Sequence, residues 1–309
     1  MKTTVLQNRP AAYGLTIGCT LLWGTAFPFI KRGYAAFAIA DGDVGAMLLF
    51  AGLRFTLAGA MVLAFLCVRE KRFVPVGKAD AGAAALLGAV QTFGQYLFTY
   101  AGIGLTTGAN TSIITACASF LTVLGAALLL KSDRLSVWKI LGCALGFGGV
   151  LVMNGGGGLA LDTLLGDSLI FMSTVFAAAG NLIAKKLTPG RSPVKLTAYQ
   201  LLCGGLALTV AGMLCGGRLN LTSTDGLLIL LWLAFVSAAA FTVWTALLKF
   251  HPASNISVFN LLVPVFGTFL SGMLLGENVF RAEIFLSLAL IAAGIVAVNV
   301  SKEGKRHDR

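Results

Sequence analysis

Long apolar runs alternate with short charged, proline-containing or glycine-rich stretches along the whole chain. Dividing the sequence at those stretches leaves ten apolar segments, most of them close to the roughly 20 residues that a helix needs to cross a bilayer. The pattern therefore predicts an all-α polytopic membrane protein with ten transmembrane helices. The predicted helices are residues 11–30, 44–68, 81–103, 107–130, 136–154, 165–184, 196–215, 226–248, 254–275 and 282–300.

The composition supports the same fold class. Of the 309 residues, 57% are apolar and 11% are charged, and the mean hydropathy is +0.88. Soluble domains carry about 25% charged residues, so water cannot be the solvent for most of this surface. The composition excludes a disordered chain, a disulfide-stapled secreted module and an ordinary cytosolic enzyme. Ten spans with short connections leave no room for a soluble catalytic domain.

The net charge of +11 comes from short basic clusters between the apolar runs. Because the clusters never form one stripe, nucleic acid is not expected as a partner, and the clusters serve better as topology signals. If the N-terminus is cytoplasmic, 18 of the 23 Lys and Arg residues lie on that side. The positive-inside rule then places both termini in the cytoplasm. The other basic residues are Lys31, Arg32, Arg218 and Arg281 on the opposite side and Arg54 inside the second helix.

The two halves of the chain resemble each other. A shift of 145 places residues 108–112 on 253–257 and Gly149 on Gly294, and a shift of 146 places Arg54 on Gln200. Each half then holds five spans, and an odd number of spans forces the second copy into the membrane upside down, as in many secondary transporters. The predicted units are a first repeat at residues 1–155, an inverted second repeat at 156–301 and a cytoplasmic basic tail at 302–309.

Three short motifs resemble a known family. They are Trp-Gly-Thr-Ala-Phe-Pro-Phe-Ile-Lys at residues 23–31, Leu-Arg-Phe at 53–55, and Pro264 followed by Leu-Gly-Glu at 275–277. In order and spacing they resemble the EamA-type members of the drug/metabolite transporter superfamily, over the whole chain. The resemblance implies movement of small metabolites, often amino acids outward, across a bacterial inner membrane. It also implies a cavity between the repeats, lined mainly by helices 1, 3, 4, 6, 8 and 9.

Helix 4 departs from the family pattern, because Ser119 and the pair at residues 132–133 stand where the family has a proline and a terminal glutamate. In helices 1 and 9, by contrast, Pro28 and Pro264 lack the N–H that would bind the carbonyls of Gly24 and Asn260. Such bare carbonyls are tolerated at membrane depth only against protein or a watery cavity. Each site is either a hinge or substrate acceptor, or a static kink satisfied by a neighbouring hydroxyl.

Neutral polar residues recur on helix faces. Gln91 and Gln95 lie four residues apart on helix 3, and Asn181 lies inside helix 6. These residues either hold helices together or line a cavity for an amphipathic solute. A similar stripe on helix 4 comprises Thr111, Thr115, Ser119 and Thr122. Aromatic surfaces for such a cavity are Trp23, Phe27, Tyr96, Tyr100, Tyr199 and Trp244, although aromatics near span ends, such as Tyr100, fit an interfacial belt.

Arg54 lies about ten residues, or roughly 15 Å, into helix 2. A cation at that depth costs at least ~2.5 kcal/mol on insertion scales. The favoured interpretation is a structural tether to Asp41, Asp43 or a helix end, and the alternative is a contact with a substrate carboxylate.

Two pairs of asparagines lie at predicted helix ends. Asn110 and Asn255 open helices 4 and 9, where they either cap the helix or act in gating and substrate contact. Asn154 and Asn299 are expected to be C-terminal caps. All twelve acidic residues fall in loops or at the ends of predicted spans, and the histidines are in a loop and in the tail, so we expect downhill transport or coupling through Glu277.

The sequence thus predicts a secondary transporter that moves small amphipathic metabolites by alternating access, with export first. A multidrug or nucleotide-sugar carrier and a channel-like facilitator are the alternatives. An enzyme is not expected, because the chain lacks a serine–histidine or paired-aspartate arrangement at membrane depth. No cofactor or metal is expected either, since all six cysteines fall in apolar runs without a CxxC motif and are interpreted as small buried hydrophobes.

Overall fold

A computed structural model of the chain describes residues 3–130, 134–153, 163–275 and 282–300. Within these ranges the chain is helical, with no strands. After a short N-terminal helix, Thr3–Gln7, ten helical segments follow one another in the predicted order. Eight are long and apolar enough to cross a membrane, and a ninth, of 17 residues, is shorter but apolar. The segments are α1 (Arg9–Ala36), α2 (Val44–Glu70), α3 (78–103), α4 (Gly108–Leu129), α5 (Val137–Met153), α6 (Leu164–Leu187), α7 (Pro193–Leu214), α8 (Thr224–Phe250), α9 (253–275) and α10 (Ala282–Val300).

Helix α1 is longer than its apolar run. It begins after Asn8, whose side chain accepts a hydrogen bond from the Ala11 N–H, and it continues through Lys31 and Arg32. Both charges interrupt the hydropathy, but Lys and Arg are good helix formers, so the helix does not end there. Arg32 donates to the carbonyl of Leu274 in α9 at 3.2 Å.

Two helices change their winding in the middle. In α3, a π-helical segment, Gly88–Gly94, separates the α-helical pieces Lys78–Leu87 and Gln95–Ile103. In α9, a 3-10 turn, Val258–Leu261, separates Ala253–Ser257 from Leu262–Leu275. The 3-10 turn precedes Pro264, which cannot donate to the carbonyl of Asn260. Helix α1, by contrast, stays α-helical through Pro28.

The helix contacts follow a two-fold pattern. Helix α1 packs on α8 and α9, and its counterpart α6 packs on α3 and α4. Helix α2 packs on α7, and α5 packs on α10, each pairing with its own counterpart. The two five-helix halves therefore pack on each other through several helix pairs. We call the part of this contact that is formed by α1, α2, α3, α6, α7 and α8 the seam.

Glycines allow the central pairs to approach closely. A Cβ atom at Gly142 would lie 2.5 Å from the Gly294 carbonyl oxygen, and one at Gly294 would lie 2.5 Å from the Gly142 carbonyl oxygen. A Cβ atom at Gly205 on α7 would lie 2.4 Å from the backbone nitrogen of Thr56 on α2. Small residues serve membrane helices in this way, because close backbone contact maximises dispersion where lipid removes the hydrophobic driving force.

The cysteines correct one expectation. Cys19 and Cys143 are buried, but Cys203 and Cys215 are exposed on the protein surface. The prediction that all six are buried is wrong because lipid is itself an apolar solvent, so a small hydrophobe on an apolar run can face outward.

Candidate functional site

Three side chains that the sequence singled out meet in a hydrogen-bonded cluster. Asn181 Oδ1 accepts the Trp244 Nε1–H at 3.0 Å and the Gln91 Nε2–H at 3.5 Å. Each of the three side chains is at most 4% exposed. We call this group the amide cluster. It connects α3, α6 and α8 and therefore joins the two halves of the chain.

The local backbone brings these residues together. Gln91 lies in the π-helical segment of α3, and π segments are common at functional sites. On α6, Gly180 precedes Asn181, and a Cβ atom there would lie 2.7 Å from Gln91 Cβ. The missing side chain thus lets α3 and α6 approach closely enough for the two amides to meet.

The cluster keeps hydrogen-bonding capacity that the protein does not use. Gln91 Oε1 and the neighbouring Trp23 Nε1 are buried and have no hydrogen-bond partner among the described residues. A buried polar group without a partner costs about 1–3 kcal/mol. One acceptor and one donor at this position are therefore left unpaired within the described part of the protein.

An aromatic band leads away from the amide cluster. The Trp23 ring lies 5.0 Å from that of Trp244 and 5.4 Å from that of Phe241, measured between ring centroids. Phe55 continues the contacts, 6.1 Å from Phe241 and 4.4 Å from Tyr96. These five rings, which we call the aromatic band, come from α1, α2, α3 and α8 and offer apolar faces to an amphipathic molecule.

Arg54 lies at the other end of this band. Its side chain is 4% exposed, and its Cζ atom lies 4.3 Å from the centroid of the Phe55 ring and 5.5 Å from that of Tyr96. The predicted ion pair with Asp41 or Asp43 is not formed. Asp43 instead caps α2, where its Oδ1 accepts the Ala46 N–H at 2.8 Å.

A buried carboxylate that the sequence did not single out lies in the first turn of α6. Asp167 is 7% exposed and accepts hydrogen bonds from the hydroxyls of Thr106 and Thr163 and from Asn110 Nδ2, the last at 3.1 Å. Of the two alternatives for Asn110, the cap is wrong: Thr107 Oγ1 accepts the Asn110 N–H and caps α4, which frees the amide for Asp167.

The polar residues of α4 and α9 also differ from expectation. Asn255 does not cap α9, because the helix begins at Ala253 and the Asn255 Oδ1 accepts from the Ser254 hydroxyl instead. Thr115 is exposed, and its hydroxyl donates to carbonyls of its own helix, so it does not line the seam. Ser119, by contrast, is buried and donates to the Ser257 carbonyl at 2.8 Å, which ties α4 to α9.

Gly24 and Phe27 serve a helix contact. A Cβ atom at Gly24 would lie 2.6 Å from Phe266 Cβ, so the glycine is where α1 touches α9. Phe27 is 49% exposed, beside Gly267, and lies outside the aromatic band.

The remaining predicted residues have mixed positions. Gln95 is partly buried one turn beyond Gln91, and Asn260 is partly buried in the 3-10 turn of α9. Tyr100 is 3% exposed and packs in the core, so its assignment to an interfacial belt is wrong. Asn154, Glu277 and the tail at residues 302–309 lie outside the described residues.

A groove on the outer surface is a separate feature. It has a volume of about 410 Å³, lies between α3 and α7, and is lined by Phe93, Leu206, Ala207, Val210, Ala211 and Leu214. Without a polar group to orient a solute, it matches lipid chains better than a metabolite.

Long apolar helices in two five-helix halves, with polar groups buried where the halves meet, are an arrangement found in many membrane transporters. The sequence pattern of the EamA-like transporter family matches the chain twice, at residues 11–155 and at residues 164–300. The chain therefore belongs to the EamA-like transporter family, an integral membrane family within the drug/metabolite transporter superfamily.

Several bacterial proteins are similar to this chain along most of its length. One is the "Probable amino-acid metabolite efflux pump" of Salmonella typhimurium, 29% identical over 91% of this chain and 92% of that protein. Another is the "Uncharacterized inner membrane transporter YedA" of Escherichia coli, which is 26% identical over 94% of this chain and 91% of that protein. A solved crystal structure has the same fold, with a TM-score of 0.75 and 19% identity over 94% of this chain and 96% of its own.

Proposed function

We propose that this transporter moves small amphipathic metabolites, amino acids foremost, through the seam by alternating access, in the direction of export. The observation that carries the proposal is the amide cluster, where the unused acceptor of Gln91 and the unused donor of the neighbouring Trp23 lie between helices of opposite halves. The similarity to a protein named as an amino-acid efflux pump supports the choice of substrate.

The charge beside the aromatic band favours this substrate over a cationic drug. Arg54 is a buried cation, and a cation carrier would instead need an acidic side chain there. A nucleotide-sugar carrier would need several basic groups around its phosphates, whereas the side chains that form the amide cluster are neutral.

We also infer that both termini face the cytoplasm. Of the 23 Lys and Arg residues, 18 lie on that side, and the positive-inside rule sets orientation from this bias. The α6–α7 and α8–α9 connections would then lie on the cytoplasmic side, and an exported substrate would enter the protein from that side.

Counterflow in liposomes tests the proposal. Liposomes that contain the purified full-length protein and are preloaded with an unlabelled amino acid are expected to take up the same amino acid in labelled form, at a rate that saturates with its concentration. Asn181→Leu removes the shared acceptor and is expected to lower the initial rate about tenfold, which corresponds to 1.4 kcal/mol. Asn220→Leu makes the same chemical change at an exposed loop position and should leave the rate unchanged.

The outcome separates a carrier from its alternatives. Single-channel currents, or the absence of counterflow for every amino acid of the panel, would contradict the proposal. A folded Asn181→Leu variant, judged by a monodisperse elution profile, that transports like the wild type would remove the amide cluster from the substrate path.

A further inference from the structure

Arg54 is a buried cation whose counter-charge the described chain does not supply. Its Nε atom is buried without a hydrogen-bond partner, and no carboxylate of the described residues forms an ion pair with it. Arg69 and Lys195, by contrast, form ion pairs with Glu70 and Asp80 near the ends of their helices.

Neutral aromatic groups surround the guanidinium. Phe55 and Tyr96 present their rings to it, and Tyr96 also forms a side-chain hydrogen bond with Arg54. Aromatic faces stabilise a cation, but they do not neutralise it. We call this arrangement the Arg54 cage.

An unmatched charge away from water is costly unless it is paired and hydrogen-bonded. The planar fork of arginine matches a carboxylate, which it binds through two parallel N–H bonds. Since the cage holds one cation, a monoanion balances its charge, whereas a phosphate dianion does not. The adjoining aromatic band can hold an apolar or aromatic body.

We propose that Arg54 binds the carboxylate of the transported solute, so that the substrate is a monocarboxylate with an apolar or aromatic body, such as a hydrophobic amino acid. The inference rests on the proposed function, because it requires the seam to be the transport path. None of the side chains in the amide cluster or the aromatic band is acidic, so the carboxylate should matter more for recognition than the amino group.

Analogues that lack one group test this order of importance in the wild-type protein. The measurement is inhibition of labelled L-phenylalanine counterflow, or of the hydrophobic amino acid that the protein exchanges fastest. We expect 3-phenylpropionate, which lacks the amino group, to inhibit in the same concentration range as phenylalanine. L-Phenylalaninamide and 2-phenylethylamine, which lack the carboxylate, should be weaker by about tenfold or more. Equal inhibition by the amide and the acid would overturn the proposal.

Variants of the cation give the second arm. Arg54→Gln removes the charge and should lower counterflow by about tenfold or more and abolish the preference for acid over amide. Arg54→Lys keeps the charge but lacks the planar guanidinium, so its counterflow rate should lie between those of the wild type and Arg54→Gln. Arg69→Gln removes an exposed cation from the same helix and should change neither rate nor preference.

The analogue series and the Arg54 variants together distinguish a failure of the Arg54 assignment from a failure of the proposed function. If a folded Arg54→Gln variant retains the wild-type preference, the assignment of Arg54 is wrong even though transport stands. If Arg54→Gln does not fold, the analogue series on the wild type decides. If the wild type exchanges no amino acid at all, the proposed function fails, and the inference fails with it.

Discussion

At the scale of single residues, buried hydroxyls and amides differ in where their partners lie. Thr16, Thr122 and Ser237 donate to carbonyls one turn earlier in their own helices. Such bonds satisfy a hydroxyl without fixing a neighbouring helix. Asn181 and Asp167 instead bind groups from other elements, so they fix the relative positions of the helices that carry them.

Replacement of Asp167 tests whether its network stabilises the fold. In Asp167→Asn the side chain loses one acceptor oxygen and presents an NH₂ group to the donors Thr106, Thr163 and Asn110. We expect a loss of about 1–3 kcal/mol in stability, because buried donors lose their acceptor. Thermal unfolding of the purified protein should show a midpoint several degrees below that of the wild type.

Asp225→Asn is the matched control for this change. Asp225 also lies in the first turn of a helix, α8, but is exposed, so any effect of charge near a helix N-terminus is common to both variants. Its midpoint should stay close to that of the wild type. Equal midpoints for the two variants would show that the network contributes nothing measurable.

The sequence could indicate the members of the site but not their contacts. Gln91, Asn181 and Trp244 were recognisable because polar or amphipathic groups inside apolar runs are unusual. Their meeting depends on how α3, α6 and α8 pack, which hydropathy does not encode. Asp167 was missed for a related reason: at the end of a span, sequence alone does not separate a buried carboxylate from an exposed one.

At the scale of helices, glycines decide which faces can touch. On α5, Gly142 lies against the Gly294 backbone, whereas a Cβ atom at Gly148 would have nothing within 4 Å. The two positions share one helix and the same helix propensity, so they separate packing from propensity.

The alanine variants of these two glycines should differ in their effect on the free energy of unfolding. Gly142→Ala forces α5 and α10 apart and should destabilise the protein by about 1–3 kcal/mol. Gly148→Ala should be neutral or stabilise it by up to about 1 kcal/mol, because glycine weakens a helix interior. The check is thermal unfolding of both variants in the same detergent. A Gly142→Ala midpoint at or above that of Gly148→Ala would contradict the described contact between α5 and α10.

The order and number of the helices could be predicted, because a bilayer requires long apolar runs. Their ends could not be predicted as closely: α1 extends to Ala36, since charged residues end a span but not a helix. Pro264 signalled the irregular winding of α9. The π-helical segment at Gly88–Gly94 had no comparable signal, because no proline marks it.

At the scale of the whole molecule, positions that correspond to each other in the two halves form contacts at opposite ends of the helix bundle. Thr106, before α4, belongs to the Asp167 network, and a shift of 145 places it on His251, before α9. The His251 ring hydrogen-bonds the Leu6 carbonyl at 2.8 Å, and Lys185 donates to the His251 carbonyl at 2.8 Å. If transport follows the proposed alternating access, we expect these contacts to open in turn, one end at a time.

Access to the seam from each side of the membrane tests this account most directly. The six native cysteines are replaced, and Gln95→Cys introduces a single thiol beside the amide cluster on α3. Impermeant thiol reagents are then applied to right-side-out and inside-out vesicles. Alternating access predicts that, without substrate, the thiol reacts in both preparations and that a transported amino acid changes the two rates. Reaction from one side only, under every condition, would contradict it.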